Sequence, residues 1–444
     1  MSEGRVYFKN QQVGSIEKNT DESFHFGYLP EAKSVSWALP STQSIYTSEE
    51  LFPFFDGLIP EGWLLNLVEK NWKISKNDRM TLLLTTCQDC IGAAHVIGEN
   101  HLHIAEKNTK NNFQKKLQKK LQKKSSATIS SDRCLICMAD LEREESLYHK
   151  KCAQNLFGFS HAPVVDISTQ DLDKLALLQI NQRLTLTGVQ KKLSLSPTQG
   201  EKKERLTVVG LDGRFILKPS AEEYPEMAEV EHLSMKLAGL QQIPMAECGL
   251  VHLSSGERAY ITRRFDRFEN EKIQVEDFCQ LSEKSTARKY SGSSESLGKV
   301  IDKYSAQPQD DKLTLFQMIL FSFWIGNADM HLKNFSLWQD PRSNSIRMSP
   351  GYDFVSTRLL IPSKEDNEEL ALPINGRKNK LKWSDFLAFG DNLKIPQKVM
   401  ERIREKMLDS FFDAEELLER SFLSDENKEA FRNLLVKRSK RIST

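Results

Sequence analysis

The sequence lacks the features of a membrane or exported protein. No apolar run reaches the ~20 residues that span a bilayer. The nearest, Leu315 to Ile325, is shorter and is interrupted by Gln317 and Ser322, so it reads as a buried helix. The opening residues MSEGRVYFKNQQVGSIEK have no apolar core of a secretory signal, and no membrane partner is expected. Cysteine is scarce and odd in number, seven in 444 residues, which argues against a disulfide framework and for a reducing, cytoplasmic setting. No charge of either sign dominates: the formal net charge is +1, so nothing global points to nucleic acid. Neither G-x-G-x-x-G nor a Walker A motif occurs, which removes the two commonest phosphate-binding loops.

What is present is an ordinary globular balance, 39% hydrophobic and 28% charged, long enough for two or three domains. Residues 1–104 read as a small α+β subdomain. RVYFKNQQVGSIEK alternates and turns near Asn10-Gln11, ELFPFFDGLIPEGWLLNLVEKNW is helix-rich and broken at GLIPEG, and DCIGAAHVI is a short strand. Residues 105–132, with FQKKLQKKLQKKSSATISS, form a Lys-rich linker. Its Phe113, Leu117 and Leu121 would share one face of a short helix. A Cys/His knuckle is expected over 133–160. Strands over 161–274 (RLTLTGVQKKLSLS, GRFILKPS, AYITRRFDR) give way to helices over 275–444.

The chemistry gathers in GNADMHLKNFSL. Asp329 and Asn334 stand five apart, the D-x-x-x-x-N spacing of a kinase catalytic loop. An Asp there can accept a hydroxyl proton, and an Asn one turn on offers a neutral oxygen to Mg²⁺. Lys333 is placed to neutralise charge on a phosphoryl group in flight. A second metal-binding carboxylate should follow, and Asp353 of SPGYDFVS supplies it, without the Gly of D-F-G. Upstream, Lys218 ends the apolar strand RFILKPS, and Glu231 lies on the helical EMAEVEHLSMKLAGL, where a Lys–Glu pair would aim the ammonium at nucleotide phosphates. TLTGVQKK adds a single Gly before them. Taken singly, each residue has an ordinary explanation as a helix cap, a strand end or a surface charge. Their order along the chain is what points to an ATP site.

This order and these words resemble the HipA family of bacterial Ser/Thr protein kinases, the toxin halves of toxin–antitoxin pairs. FFDGLIPEGW and DCIGAAHVI are similar to its N-terminal subdomain; GVQKKLSL, FILKPS, RRFDR, EDFCQ, GNADMHLKNFSL, SPGYDF and LPINGRKNKL are similar to its kinase core. The resemblance implies an α+β, protein-kinase-like bilobal fold with an N-terminal α+β subdomain and an all-helical C-lobe. It implies ATP and Mg²⁺ as cofactors, with Lys218 on the ATP phosphates, Asp329 as catalytic base, and Asn334 and Asp353 as Mg²⁺ ligands. Gly188, Gln190 and Glu231 count among the nucleotide-site residues, and the stretch from Thr262 through Arg264, Phe265 and Asp266 would border the adenine. His331 falls in the family's D-x-H pattern. The family phosphorylates itself in the loop before the Gly, where this chain has Thr185 and Thr187; a phosphate there would add ~−2 charge and repel the ATP phosphates. The implied partners are a protein substrate such as an aminoacyl-tRNA synthetase and a HipB-like helix-turn-helix antitoxin, with DNA reached only through that antitoxin. The Lys-rich linker departs from the family's direct join and makes the chain look like a fusion of two parts.

CLICMADLEREESLYHKKC places Cys134, Cys137, His149 and Cys152 as C-x₂-C and H-x₂-C, a Cys₃His set that could close a structural Zn²⁺ site. The alternative is that the two leading cysteines are apolar strand residues and His149 is on the surface. Cys87, Cys90, Cys248 and Cys279 read as core. Two other functions compete with the protein kinase: a small-molecule or lipid phosphotransferase, which shares a D-x-H-x-x-N loop, and an inactive binding module held to nucleic acid by the linker.

Overall fold

The computed structural model describes residues 2–98, 131–142, 147–181, 190–198, 205–208, 213–269, 271–361 and 367–443. The expected linker helix of Phe113, Leu117 and Leu121 lies outside them. The chain opens with an antiparallel hairpin, Ser2–Phe8 against Gln11–Lys18. Its two-residue turn is Lys9-Asn10, both left-handed (φ 46° and 65°), one residue earlier than the sequence suggested. Paired positive φ values give the twist that a tight hairpin needs. Phe24–Tyr28, Ile45–Ser48 and Ala94–Gly98 complete a five-stranded antiparallel sheet, with Ala94–Gly98 beside the first strand. Val6, Ile16, Phe26 and Val96 are fully buried on its covered side. The helix Pro53–Asp56 precedes the break at GLIPEG, and Gly62–Trp72 and Arg79–Thr86 follow it.

A second sheet of six strands runs in the order Cys248–His252, Arg258–Arg263, Phe215–Pro219, Leu193–Thr198, Arg205–Val208, Val164–Val165. Only the last pair is parallel. Lys218 sits in the third strand, opposite Tyr260. The helix Met227–Leu240 packs on this sheet and is buried on most of its circumference, so its Glu231 is inside the protein.

The remainder is helical, built around Pro308–Ile325. Pro308 starts that helix at its first turn, where a missing N–H costs nothing. From Leu315 to Ile325 nearly every side chain is buried, Ser322 included, which is why the run is apolar on all faces but for Gln317 and Ser322. Gly326 ends it with φ 73°, and a side chain there would meet Leu434 at 2.7 Å. That left-handed stop, which glycine adopts without strain, turns the chain straight into Asn327–Asn334. This lobe also carries a three-stranded sheet, Val275–Asp277, Ser336–Gln339 and Ile346–Met348. The expectation of helices alone did not include it, because strands this short leave little alternation to read.

Buried polar bonds join the N-terminal sheet region to the rest. Ser36 Oγ and the Trp37 N–H donate to Glu276 at 2.6 and 2.8 Å. Arg267 Nη2 donates to Asp89 at 2.9 Å, and the Gly92 N–H to Asp266 at 2.9 Å. No helix among the described residues is long and apolar enough to cross a membrane.

Candidate active site

The loop after Gly326 is held by its own backbone. The N–H of His331 bonds the Asp329 carbonyl at 2.8 Å, and the N–H of Asn334 bonds the His331 carbonyl at 2.9 Å. Asn334 Nδ2 also donates to the Asp329 carbonyl at 2.9 Å, so its amide oxygen remains for another partner. Asn327 Oδ1 accepts from the Asp329 N–H at 3.0 Å, and Thr357 Oγ1 from the Ala328 N–H at 2.9 Å. The Asp329 carboxylate accepts a 2.6 Å bond from the Tyr290 hydroxyl. Burial lowers the His331 pKa, and its buried Nδ1 has no hydrogen-bond partner.

Lys218 Nζ bonds Glu231 Oε1 at 2.6 Å and also reaches Asp353 Oδ1. Burial alone would lower the ammonium's pKa, but Asp353 and Glu231 together hold it well above its usual value. Burial pushes the Glu231 carboxyl up to about 7 even against Lys218. Asp353 goes the other way, down to about 2, because Lys218 and Lys192 outweigh its burial. Asp353 has φ 56°, a left-handed conformation that a non-glycine residue holds at a cost of about 1–3 kcal/mol. Its side chain remains one-third exposed.

These residues line one cavity of about 770 Å³ between the six-stranded sheet and the helical lobe. Lys218, Asp329, His331, Lys333, Asn334 and Asp353 all face it, as do Gln190 and the stretch Thr262–Asp266. The two carboxylates therefore share a chamber with the lysine. Glu231 stands behind Lys218, fully buried. Within the stretch, Arg264 and Asp266 bind each other through two bonds of 2.9 and 2.7 Å, and Phe265 packs on Tyr352 at 5.6 Å between ring centres. Gly188, Thr185 and Thr187 lie outside the described residues.

Lys333 is placed differently from the expectation. Its ammonium is buried between Glu61 and Asp277, 3.3 Å from each, and donates to the Gly57 carbonyl at 3.3 Å. Burial would lower its pKa, but the two carboxylates raise it, so its charge is already balanced inside the protein. Three further cavity residues escaped the sequence reading. Lys192, pushed down to about 8 by burial, is a second cation near Asp353. Glu61 comes from the N-terminal region, and Tyr290 from a turn before the helix Ser294–Tyr304. The adjacent lysines of VQKK were a signal for the first; no local pattern marks the other two.

A nucleotide triphosphate fits the volume, which lies within the usual range for ligand pockets. The donor set suits Mg²⁺: one ionised carboxylate partly open to the cavity and one amide oxygen, both hard oxygens. Away from this cavity, Cys134, Cys137, His149 and Cys152 form a separate cluster, their ligand atoms all within 4.8 Å of one another. Cys87, Cys90, Cys248 and Cys279 are buried, and no disulfide joins any of the seven cysteines.

The HipA-like C-terminal domain family matches residues 184–414, and the HipA N-terminal domain family matches residues 4–97. A candidate kinase of Haemophilus influenzae is 27% identical over 321 residues, covering 65% of this chain and 91% of that protein. The serine/threonine-protein kinase toxin HipA of Shewanella oneidensis is 26% identical over 240 residues, 49% of this chain and 53% of that one. The solved complex of Shewanella oneidensis HipA with HipB and operator DNA has a chain that superposes with a TM-score of 0.68 at 19% identity. That superposition covers 99% of this chain and 97% of that chain.

Proposed function

The chain belongs to the HipA-like kinase family, and we propose that it transfers the γ-phosphoryl group of ATP to a serine or threonine hydroxyl of a protein. The observation that carries this reading is the shared cavity of Lys218, Asp329, Asn334 and Asp353. Asp329 accepts the hydroxyl proton as the oxygen attacks the γ-phosphorus, and the bond to the ADP oxygen breaks. Glu231 holds the Lys218 ammonium, which neutralises the α- and β-phosphates. Asn334 and Asp353 would hold Mg²⁺, which supplies charge neutralisation at the phosphate oxygens. Lys333, enclosed by Glu61 and Asp277, positions the loop that carries Asp329 rather than meeting phosphate. Thr262–Asp266 borders the adenine.

The biological reading follows the named relative. A toxin kinase that phosphorylates a protein of translation, such as an aminoacyl-tRNA synthetase, would arrest growth. Phosphorylation of Thr185 or Thr187 would switch it off, and a HipB-like helix-turn-helix antitoxin would restrain it. The toxin named in Shewanella oneidensis and its HipB complex support this. Incubating the chain and its Asp329→Asn variant with γ-labelled ATP and cell extract tests the reaction. Label on serine or threonine of a protein, lost in the variant, is the expected result. Label on a metabolite or lipid would replace this reading with a small-molecule phosphotransferase, and no transfer at all would leave a binding module.

A further inference from the structure

Outside the cavity, residues 131–142 and 147–158 form a small knuckle, and its Leu135, Met138, Leu156 and Phe157 are buried. Its first loop is tight: the Met138 N–H bonds the Cys134 carbonyl at 2.9 Å, the Cys134 N–H bonds the Ala139 carbonyl at 2.8 Å, and Met138 is left-handed at φ 64°. This turn brings Cys134 and Cys137 to the same point. The second pair comes from the start of the helix Lys150–Phe157, with His149 at its cap and Cys152 on its first turn. His149 Nδ1 lies 3.2 Å from Cys137 Sγ and 3.8 Å from Cys152 Sγ. A tetrahedral zinc with its usual bond lengths sets sulfur and nitrogen ligands about 3.6 Å apart, so these spacings match a coordination shell.

The imidazole orientation is an independent observation. His149 Nε2 is 2.9 Å from the Asp140 carbonyl, which can only accept, so Nε2 carries the proton. Nδ1 is then the ring's lone-pair nitrogen, and it is the one facing the thiols. A ligating histidine characteristically donates its other nitrogen to a carbonyl or carboxylate, which fixes the tautomer.

The knuckle is attached to the kinase core at a sensitive place. The Leu250 N–H bonds the Leu135 carbonyl at 2.8 Å, and the Tyr148 hydroxyl bonds the Leu250 carbonyl at 2.9 Å. His232 Nε2 donates to the Ile136 carbonyl at 3.0 Å. His232 is the neighbour of Glu231 on the helix Met227–Leu240, and Ile136 belongs to the C-x₂-C turn itself. Arg263, within the Thr262–Asp266 stretch, donates through Nε to the Leu156 carbonyl at 3.0 Å. Gly249 leaves room for the contact: a side chain there would meet Ile136 at 2.8 Å.

We propose that Cys134, Cys137, His149 and Cys152 bind one structural zinc ion, and that the knuckle it closes braces the helix bearing Glu231 and the strand Cys248–His252 from behind. All four positions are filled by protein, so the ion has no open site for substrate. Binding the ion displaces the protons of the thiols, which leave to solvent.

The test uses the full-length chain. Elemental analysis after dialysis against a weak chelator should find one zinc per chain. The Cys137→Ser/Cys152→Ser double variant should hold none, and His149→Cys, which keeps four good ligands, should retain it. A folded wild-type chain with less than about one tenth of an equivalent, or one whose mass shows a disulfide among these cysteines, would overturn the site. Stripping the metal with a strong chelator should speed amide exchange over residues 227–240 and 248–252 by roughly tenfold or more. Unchanged exchange there would overturn the bracing. None of these readouts needs nucleotide, so they are independent of the kinase reading.

Discussion

The Tyr290 hydroxyl donates a 2.6 Å hydrogen bond to Asp329 Oδ1, one oxygen of the carboxylate proposed as the base. Tyr290 is 46% exposed, and its ring stands edge-on to His331 at 5.0 Å. On the proposed reading of Asp329 as the base, a substrate hydroxyl would compete with Tyr290 for this carboxylate. A hydrogen bond to a charged group in a partly exposed place is worth about 1–1.5 kcal/mol. Tyr290→Phe is therefore expected to lower KM for the protein substrate about five- to tenfold, with kcat within about twofold. Steady-state kinetics on both proteins checks this. A fall in kcat at constant KM would mean that the tyrosine orients Asp329 instead.

Lys218 lies between two carboxylates of opposite tendency, Glu231 raised to about 7 and Asp353 lowered to about 2. Lys218→Met removes the cation they share and leaves Glu231 buried without it. Breaking such a pair costs about 3–5 kcal/mol, and less where the carboxyl can take up a proton. The variant should melt lower than wild type, with the larger loss at pH 8 than at pH 6. Adding Glu231→Gln should recover most of the stability and none of the nucleotide binding. Melting curves at the two pH values, with nucleotide titrations beside them, separate the two effects.

For Lys333 the two candidate roles give different kinetics. If the ammonium only fastens the catalytic loop to Glu61 and Asp277, Lys333→Met should reduce phosphotransfer at least tenfold and leave nucleotide affinity within about threefold. The variant also takes this cation from Asp277 and leaves Glu61 with Lys289 alone, so a lower melting temperature is expected. An affinity loss as large as the rate loss would show that the ammonium meets phosphate after all.

The contrast between these residues shows what sequence can carry. Asp329 and Asn334 were legible because one loop fixes their spacing, and Lys218 because an apolar strand ends on it. The first hairpin, to within one residue of its turn, and the buried part of the helix Pro308–Ile325 were legible through alternation and apolar length. The ion pairs of Lys333 were not legible because its partners come from elsewhere: Glu61 is 272 positions away in the chain, and Asp277 is 56 away. A lysine beside a catalytic loop reads the same whether it faces phosphate or two buried acids. Tyr290 and Glu61 enter the cavity through tertiary packing that leaves no periodic trace. The short strands around Val275–Asp277 give too few residues for a pattern.

Glu276 provides the pH prediction. It is fully buried, and its carboxylate accepts from Ser36 Oγ, the Trp37 N–H and Gln274 Nε2 at 2.6, 2.8 and 2.9 Å. Burial outweighs these bonds and raises its pKa from 4.5 to about 7. The folded chain thus keeps a proton that the unfolded chain gives up near pH 4.5. Between those values the folded state binds more protons, so this group's contribution to stability falls as pH rises through about 7. The change amounts to roughly 3 kcal/mol for a shift of this size. Glu276→Gln supplies a neutral side chain of the same shape: its oxygen can accept from Trp37 and Gln274, and its NH₂ can donate to Ser36 Oγ. The variant should match wild type at pH 4.5 and exceed it by about 2–3 kcal/mol at pH 8. Denaturant titrations at the two pH values measure this difference directly. A variant less stable than wild type at pH 8 would mean that the three donors hold Glu276 ionised, and that its charge fastens the N-terminal sheet region to the kinase core.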